Sequence, residues 1–249
     1  MEKINTISLF NEDGTPKNRE DFLQEMLSFY DTCIEPEDCD ITSPLFTACT
    51  TVENQIDTES VIKTFNFRDK SILIDEEITE KTSKMVVNQI RFWNAVDAGD
   101  PNPDPIIVYI DTVGGNLDAT LSIIAAITTS NVPVYTVNCG KAWSGGFFIL
   151  ISGEKRFAMP YSSYLFHEGS NIVGGDAHKV FQQTDFYKFQ IELLRDITLE
   201  NTSIGETLYE KHRKDDWWFG NDTATKYNVV DKIMTSTFDF EIDEEEDND

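Results

Sequence analysis

Basic residues are scarce in this sequence: 20 Lys and Arg stand against 45 Asp and Glu in 249 residues, a formal charge of −25 at pH 7. A chain so acidic repels phosphate backbones, because nucleic-acid binding relies on a basic face that displaces counterions. Nucleic acid is therefore excluded as a partner. Cysteine is equally thin. The four present, Cys33, Cys39, Cys49 and Cys139, are too few and too irregular for a disulfide framework in a chain of this length. Their spacing also matches no paired-cysteine zinc pattern, so they read as reduced thiols, with no metal and no cofactor expected. No stretch approaches the roughly 18 to 20 apolar residues of a membrane span. The longest candidate, residues 142–152, is broken by Ser144, Gly145 and Gly146. The start, Met1-Glu2-Lys3-Ile4-Asn5-Thr6, lacks the basic segment and apolar run of a secretory signal, so the expected address is cytoplasmic, with no membrane partner. Glycine (13) and proline (8) are modest beside a hydrophobic content of 40%, which rules out collagen-like repetition and wholesale disorder.

What is present is enough apolar material for one buried core. Residues 1–60 are polar and acidic, with two short apolar patches and no sustained periodicity, and read as an N-terminal extension. The end of the chain, DFEIDEEEDND, holds eight acidic residues and no basic one, the composition of a solvated tail spanning about 237–249. Between them, residues 61–236 carry the pattern of a folded domain.

That pattern is α/β. Ser71-Ile72-Leu73-Ile74 suits a strand, and residues 80–96 place Met85, Val86, Ile90, Phe92, Trp93 and Val96 on one helical face. After the Pro-rich DAGDPNPDP, Ile106-Ile107-Val108-Tyr109-Ile110 is a nearly continuous apolar run, as in a parallel strand covered on both faces. A diglycine, Gly114-Gly115, precedes a helix from 117 to about 130, then a strand over 132–139, a glycine-containing turn, an apolar helix and a strand over 163–166. Such alternation predicts parallel strands joined by helical crossovers. Residues 176–200 are long enough for a helix that projects from the domain and needs a partner.

Chemistry concentrates in Gly140-Lys141-Ala142-Trp143-Ser144-Gly145-Gly146, expected as a turn between strand and helix, with one hydroxyl among glycines. A serine at a helix N-terminus sits where outward N–H groups and a positive dipole end would stabilise an oxyanion. The same position also suits an ordinary N-cap serine, and the G-x-S-x-G form is not met because Ala142 replaces its first glycine. A general base must come from three histidines, His167, His178 and His212. His167 closes an apolar strand, where sheet enzymes place catalytic groups. His178 and His212 read as solvent-facing. A carboxylate to orient the imidazole is available at Asp215 or Asp216, just before the apolar cluster Trp217-Trp218-Phe219 that would shield it; spacing does not choose between them. Gly114-Gly115 offers backbone N–H groups for a second oxyanion donor.

In this order, IVYIDTVGGN, GKAWSGGFFILISGEKRFAMP, YLFHEG, the pair Gly174-Gly175 before a long helix, and DDWWFGNDTATKYNVVDKI resemble the ClpP family, the proteolytic subunit of the Clp protease, from about residue 71 to 234. The resemblance implies a ClpP/crotonase-like spiral of βαβ units with a projecting handle helix. It implies a serine endopeptidase with Ser144 as nucleophile, His167 as base and Asp216 as the third member, and oxyanion donors at the Gly115 and Gly145 backbone N–H groups. It further implies a homo-oligomer of stacked heptameric rings, an AAA+ unfoldase ATPase as partner, and peptides and unfolded proteins as substrates. Departures from the family are Val113 for a proline, Gly145 for a methionine, and the bulky Trp143 before the serine; residues 1–60 show no counterpart of the family's axial loops. Other readings are a crotonase-like acyl-CoA enzyme using paired N–H groups, a Ser-Lys peptidase using Lys141 or Lys155, and an inactive ClpP-like structural subunit.

Overall fold

The computed structural model describes Asn66, residues 69–170 and 172–236, and Phe240. The expected extension 1–60, the expected tail 237–249 apart from Phe240, and Cys33, Cys39 and Cys49 lie outside the described residues. From the N-terminal side, the described chain runs β1 (Ser71–Ile74), α1 (Glu80–Val96), β2 (Ile106–Thr112), α2 (Leu117–Thr128), β3 (Val134–Trp143), α3 (Gly145–Leu150) and β4 (Lys155–Ala158). Then follow β5 (Ser163–Phe166), α4 (Ala177–Asn201), α5 (Glu206–His212), β6 (Trp217–Gly220), α6 (Asn221–Lys226) and β7 (Lys232–Ile233).

The chain is mixed α/β, built on a parallel sheet. Strands β1, β2, β3, β4 and β7 lie side by side in that order, each parallel to the next. Ile106, Ile107, Val108 and Ile110 of β2 are all buried, as the continuous apolar run predicts for a strand covered on both faces. Helix α1 starts at Thr79, whose side chain accepts from the Thr82 N–H while the Thr82 hydroxyl accepts from the Thr79 N–H, satisfying two donors the helix leaves free. Its buried face carries Val86, Ile90 and Trp93 into the main core with Ile123 and Ile127 of α2 and Phe147 of α3. The opposite face of the sheet holds a smaller cluster, Ile107, Val137, Phe157 and Met234, with Tyr109, Tyr135, Met159 and Phe240 packed against it.

Strand β3 forks. Its first half pairs with β4, Tyr135 to Asn138 against Lys155 to Ala158, and its second half with β5, Lys141 to Trp143 against Ser163 to Leu165. Asn138, fully buried, holds the fork: its carbonyl accepts from the Met159 N–H and the Ser162 hydroxyl, both at 2.8 Å, and its amide nitrogen donates to Ser163 O at 3.1 Å. Strand β6 then adds to β5 antiparallel. Residues 140–143, expected as a turn, are strand instead, because β5 supplies them with a hydrogen-bonding partner that local sequence does not reveal. The sequence pattern does not mark β4, β6 or β7 as strands, although β4 and β6 are as long as β1 and β5, which it does mark.

Helix α4 buries only Gln190, Ile191, Leu194 and Thr198, all in its C-terminal half. Phe181, Phe186 and Phe189 are exposed, so much of the N-terminal half stands off the domain, as the sequence predicts for a projecting helix, while Tyr187 packs back on the core and donates to Glu168 O at 3.3 Å. Among the described residues, no helix is long and apolar enough to cross a membrane.

Asp231 accepts from the Arg156 backbone N–H at 2.7 Å, from Nε at 3.2 Å and from Nη2, while Arg156 Nη1 donates to Asn201 O. This ties β4, the end of α4 and the approach to β7 together around a largely buried ion pair. Asp231→Ala leaves the guanidinium without its carboxylate and is expected to cost about 3–5 kcal/mol, read as a lower denaturation midpoint. Burial, with the charge of Asp111 adding to it, pushes the Cys139 thiol up to about 11. The group stays a poorly nucleophilic thiol at neutral pH, so iodoacetamide at pH 7.5 should leave Cys139 of the folded protein unmodified in a peptide-mapping assay.

Candidate active site

The second arm of the fork delivers the candidate residues to one place. Trp143 of β3 is in register with Leu165 of β5, which is in register with Trp218 of β6. Ser144 lies one residue beyond this row and His167 two beyond. Because β6 runs antiparallel, Asp216, two residues before Trp218, reaches the same end. Ser144 Oγ and His167 Nε2 are 2.7 Å apart, and His167 Nδ1 and Asp216 Oδ1 are 3.3 Å apart.

Ser144 occupies a sharp turn. Its backbone has φ 52° and ψ −117°, sparsely populated by residues with a side chain. The turn persists because both sides hold it: the Ser144 N–H donates to Leu165 O at 2.9 Å, and the Ser144 carbonyl accepts from the Phe147 N–H at 3.0 Å, opening α3. All six residues of α3 are buried. Ser144 is the N-cap of α3, yet its side chain makes no capping bond and turns to His167 instead. The side chain therefore does not serve as an ordinary N-cap.

The diglycine lies against the same turn. Ile78 donates to Gly114 O and accepts from the Asn116 N–H, each at 2.8 Å, forming a parallel bridge opposite Gly115. In such a ladder the central residue's own N–H and C=O face the other way, so the Gly115 N–H points away from Ile78. Gly114, at φ +95°, packs so closely that a Cβ there would lie 2.7 Å from Ser144 Cβ, 2.7 Å from Trp143 O and 2.8 Å from Gly145 N. A Cβ at Gly145 would meet Thr120 Oγ1 at 2.5 Å, a hydroxyl held by Asn116 O at 2.9 Å. That is a physical reason for glycine, rather than a longer residue, directly after the serine.

The carboxylate is the surprise of the site. Structure pairs His167 with Asp216, not Asp215, but the Asp216 side chain is 58% exposed, where the sequence reading expects a shielded group. The apolar cluster does not cover it, since Trp217 and Phe219 point to the core side of β6 and Trp218 to the other. A contact this open to water contributes at most about 1 kcal/mol, too little to hold both partners in place; the backbone leading into β6 has to do so. His178 is exposed, as expected. His212 is not solvent-facing: it is half-buried and stacks on Trp217 with ring centroids 4.2 Å apart, and burial, then the nearby Lys211, lowers its pKa. Of the two lysines weighed as bases, Lys141 pairs with Asp111 at 3.4 Å and Lys155 lies over the Tyr135 ring. Among the described residues, no group of three His, Cys, Asp or Glu is placed to hold a metal ion.

The sequence model of one family, described as Clp protease, matches residues 54–237. The chain is 28% identical over 173 residues to ATP-dependent Clp protease proteolytic subunit 2 of Treponema denticola, covering 68% of this chain and 84% of that relative. It is 28% identical over 176 residues to the protein of the same name from Borreliella burgdorferi, covering 70% and 87%. The ATP-dependent Clp protease proteolytic subunit of Streptococcus suis is 29% identical over 180 residues, covering 68% and 87%.

The close approach at Gly114 makes it intolerant of a side chain. Gly114→Ala combines a positive φ with two backbone contacts under 3 Å and should destabilise by about 1–3 kcal/mol or more, seen in thermal denaturation. Gly174→Ala, which meets open space, should leave the melting curve unchanged.

Proposed function

The chain belongs to the Clp protease family, and from that premise we propose that it is a serine endopeptidase in which Ser144, His167 and Asp216 act as a catalytic triad. The observation that carries this reading is the 2.7 Å approach of Ser144 Oγ to His167 Nε2, at a turn whose strained backbone keeps the hydroxyl from capping its own helix. A neutral imidazole with its proton on Nδ1 donates to Asp216 and leaves Nε2 to accept from Ser144.

In the proposed reaction, Ser144 Oγ attacks the peptide carbonyl as its proton passes to His167 Nε2, and Asp216 holds the imidazole in that tautomer and offsets the positive charge formed. The tetrahedral oxyanion receives hydrogen bonds from the Gly115 and Gly145 N–H groups. Support for this comes from the Gly115 N–H pointing away from Ile78 and from Gly145 N opening the short buried helix next to the serine. Collapse breaks the C–N bond as His167 returns the proton to the departing amine. Water, deprotonated by the same histidine, then hydrolyses the acyl-enzyme.

The proposed setting is a self-assembled chamber of this chain's own copies. The exposed phenylalanines on the standing half of α4 supply an apolar surface for assembly. The family's stacked heptameric rings are the proposed form of the oligomer, with peptides and unfolded proteins as substrates. The relatives' names include "ATP-dependent", which supports an AAA+ unfoldase ATPase as the proposed partner. A cytoplasmic location is proposed with it.

Labelling of the purified protein with a fluorophosphonate probe tests the triad directly. The expected outcome is a covalent adduct mapped to Ser144 by mass spectrometry, lost in His167→Ala. Ser144→Ala should lower peptide hydrolysis by several orders of magnitude, about 10⁶ for an intact triad. Full peptidase activity in Ser144→Ala would refute the reading, and turnover of acyl-CoA thioesters without peptide cleavage would favour a crotonase-like enzyme.

A further inference from the structure

The proposed triad leaves a mechanical question open: what keeps Asp216, on an exposed edge strand, aligned with a serine two strands away. Strand β6 pairs with β5 on one side, and among the described residues no strand pairs with its other side. Its core-facing residues Trp217 and Phe219 are well anchored: Trp217 packs on Phe166 and Tyr227, and Phe219 stacks on Tyr164 at 5.2 Å with an interplanar angle of 5°. Those contacts fix one face of β6 to the core. Among the ring contacts of the described residues, they approach the Ser144 turn through Phe147, three residues farther along α3.

The other face carries a direct link. Trp143, the residue immediately before Ser144, and Trp218, two residues after Asp216, sit on strands that flank β5, yet their rings meet across it with centroids 4.8 Å apart and planes at 86°. This edge-to-face arrangement is the favoured geometry for an aromatic pair and resists sliding of one ring over the other. Leu165, in register with both, is buried at this crossing. Trp143 is itself held: its indole N–H donates to Ser163 Oγ at 3.0 Å, that hydroxyl donates to Gly140 O at 3.2 Å, and the Lys141 ammonium lies 6.0 Å from the ring centroid. One tryptophan is therefore locked to the strand that carries the serine and the other to the strand that carries the carboxylate.

From this geometry we propose that the Trp143–Trp218 pair is a brace across β5 that sets the position of Asp216 relative to Ser144 and His167; this inference rests on the triad reading above. Trp218 is a positioning residue in this scheme. It acts through the β6 backbone, by way of Asp216, rather than on the reacting atoms. Its half-exposed ring, at 52%, contributes little to the core, so alignment rather than folding is what its removal should affect. The brace takes over what burial of the carboxylate would otherwise do, since solvent around Asp216 weakens the attraction that would draw it to His167.

Fluorophosphonate labelling of the full chain separates alignment from binding. In that reaction Ser144 Oγ forms a bond to phosphorus, the P–F bond breaks, fluoride leaves, and the hydroxyl proton passes to His167. The labelling rate at saturating probe and the probe concentration giving half that rate are measured for wild type, Trp218→Ala, Trp218→Phe, Asp216→Asn and the Trp218→Ala/Asp216→Asn double variant, each with its melting temperature. Trp218→Ala should label about tenfold more slowly at saturation with an unchanged half-saturating concentration. Trp218→Phe, which keeps an aromatic edge, should return to within about threefold of wild type. The double variant should be no slower than Asp216→Asn alone, because a brace that acts through the carboxylate has nothing left to position. If Trp218→Ala melts below the assay temperature, Trp218→Leu, which keeps apolar bulk without the edge-to-face contact, takes its place with the same expectation.

A Trp218→Ala protein that labels at the wild-type rate overturns the brace while leaving the triad standing. So does a loss that adds in full to that of Asp216→Asn, or one that appears only as weaker probe binding. A wild-type protein that takes no label at Ser144 overturns the triad reading itself, and the brace with it.

Discussion

The architecture depends on one strand having two successive partners. Strand β3 runs ten residues and changes neighbour midway, from β4 to β5, and the change is made at Asn138, a fully buried polar side chain. A buried amide without partners is costly. Here its carbonyl, side-chain oxygen and side-chain nitrogen are met by Met159, Ser162, Gly140 and Ser163, residues that all border the divergence. In the forked arrangement these partners offset the cost of burying Asn138. The fork thus follows from hydrogen-bond satisfaction as well as from packing.

Everything at the candidate site is downstream of that fork. Because β5 leaves β4's level and takes the far half of β3, His167 arrives beside Ser144 on the neighbouring strand. Leu165 O is then placed to accept the Ser144 N–H, which helps to stabilise the strained turn. The diglycine closes the other side through its ladder with Ile78. A strained residue persists where its surroundings over-determine it, and here three separate segments, β5, α3 and the diglycine, all bear on one serine.

The two faces of the sheet divide the labour. The inner face is a conventional hydrophobic core, with helices α1, α2 and α3 packed on Ile, Val and aromatic side chains. The outer face has a small apolar cluster toward β4 and β7 and the two tryptophans toward β5 and β6. On the inner side, packing keeps the strands together; on the outer side, the described residues make fewer apolar contacts, so each of those has more influence on local geometry. Asp216 lies at this lightly packed border, which accounts for its exposure despite the aromatic residues next to it in sequence.

Sequence alone determined the elements whose signal is local. The apolar run of β2, the one-sided face of α1 and the length of α4 all read correctly, because periodicity and run length are imposed by the element itself. It also singled out Ser144 and His167, since a hydroxyl among glycines and a histidine at a strand end are uncommon. Tertiary structure alone decided the rest. Residues 140–143 are strand only because β5 pairs with them; Asp216 rather than Asp215 meets His167 because the antiparallel register of β6 turns that side chain toward it; and His212 is half-buried because Trp217 folds back over it. Short strands and edge registers take their hydrogen bonds from segments tens of residues away, so their identity is a property of the assembled sheet and not of the chain that enters it.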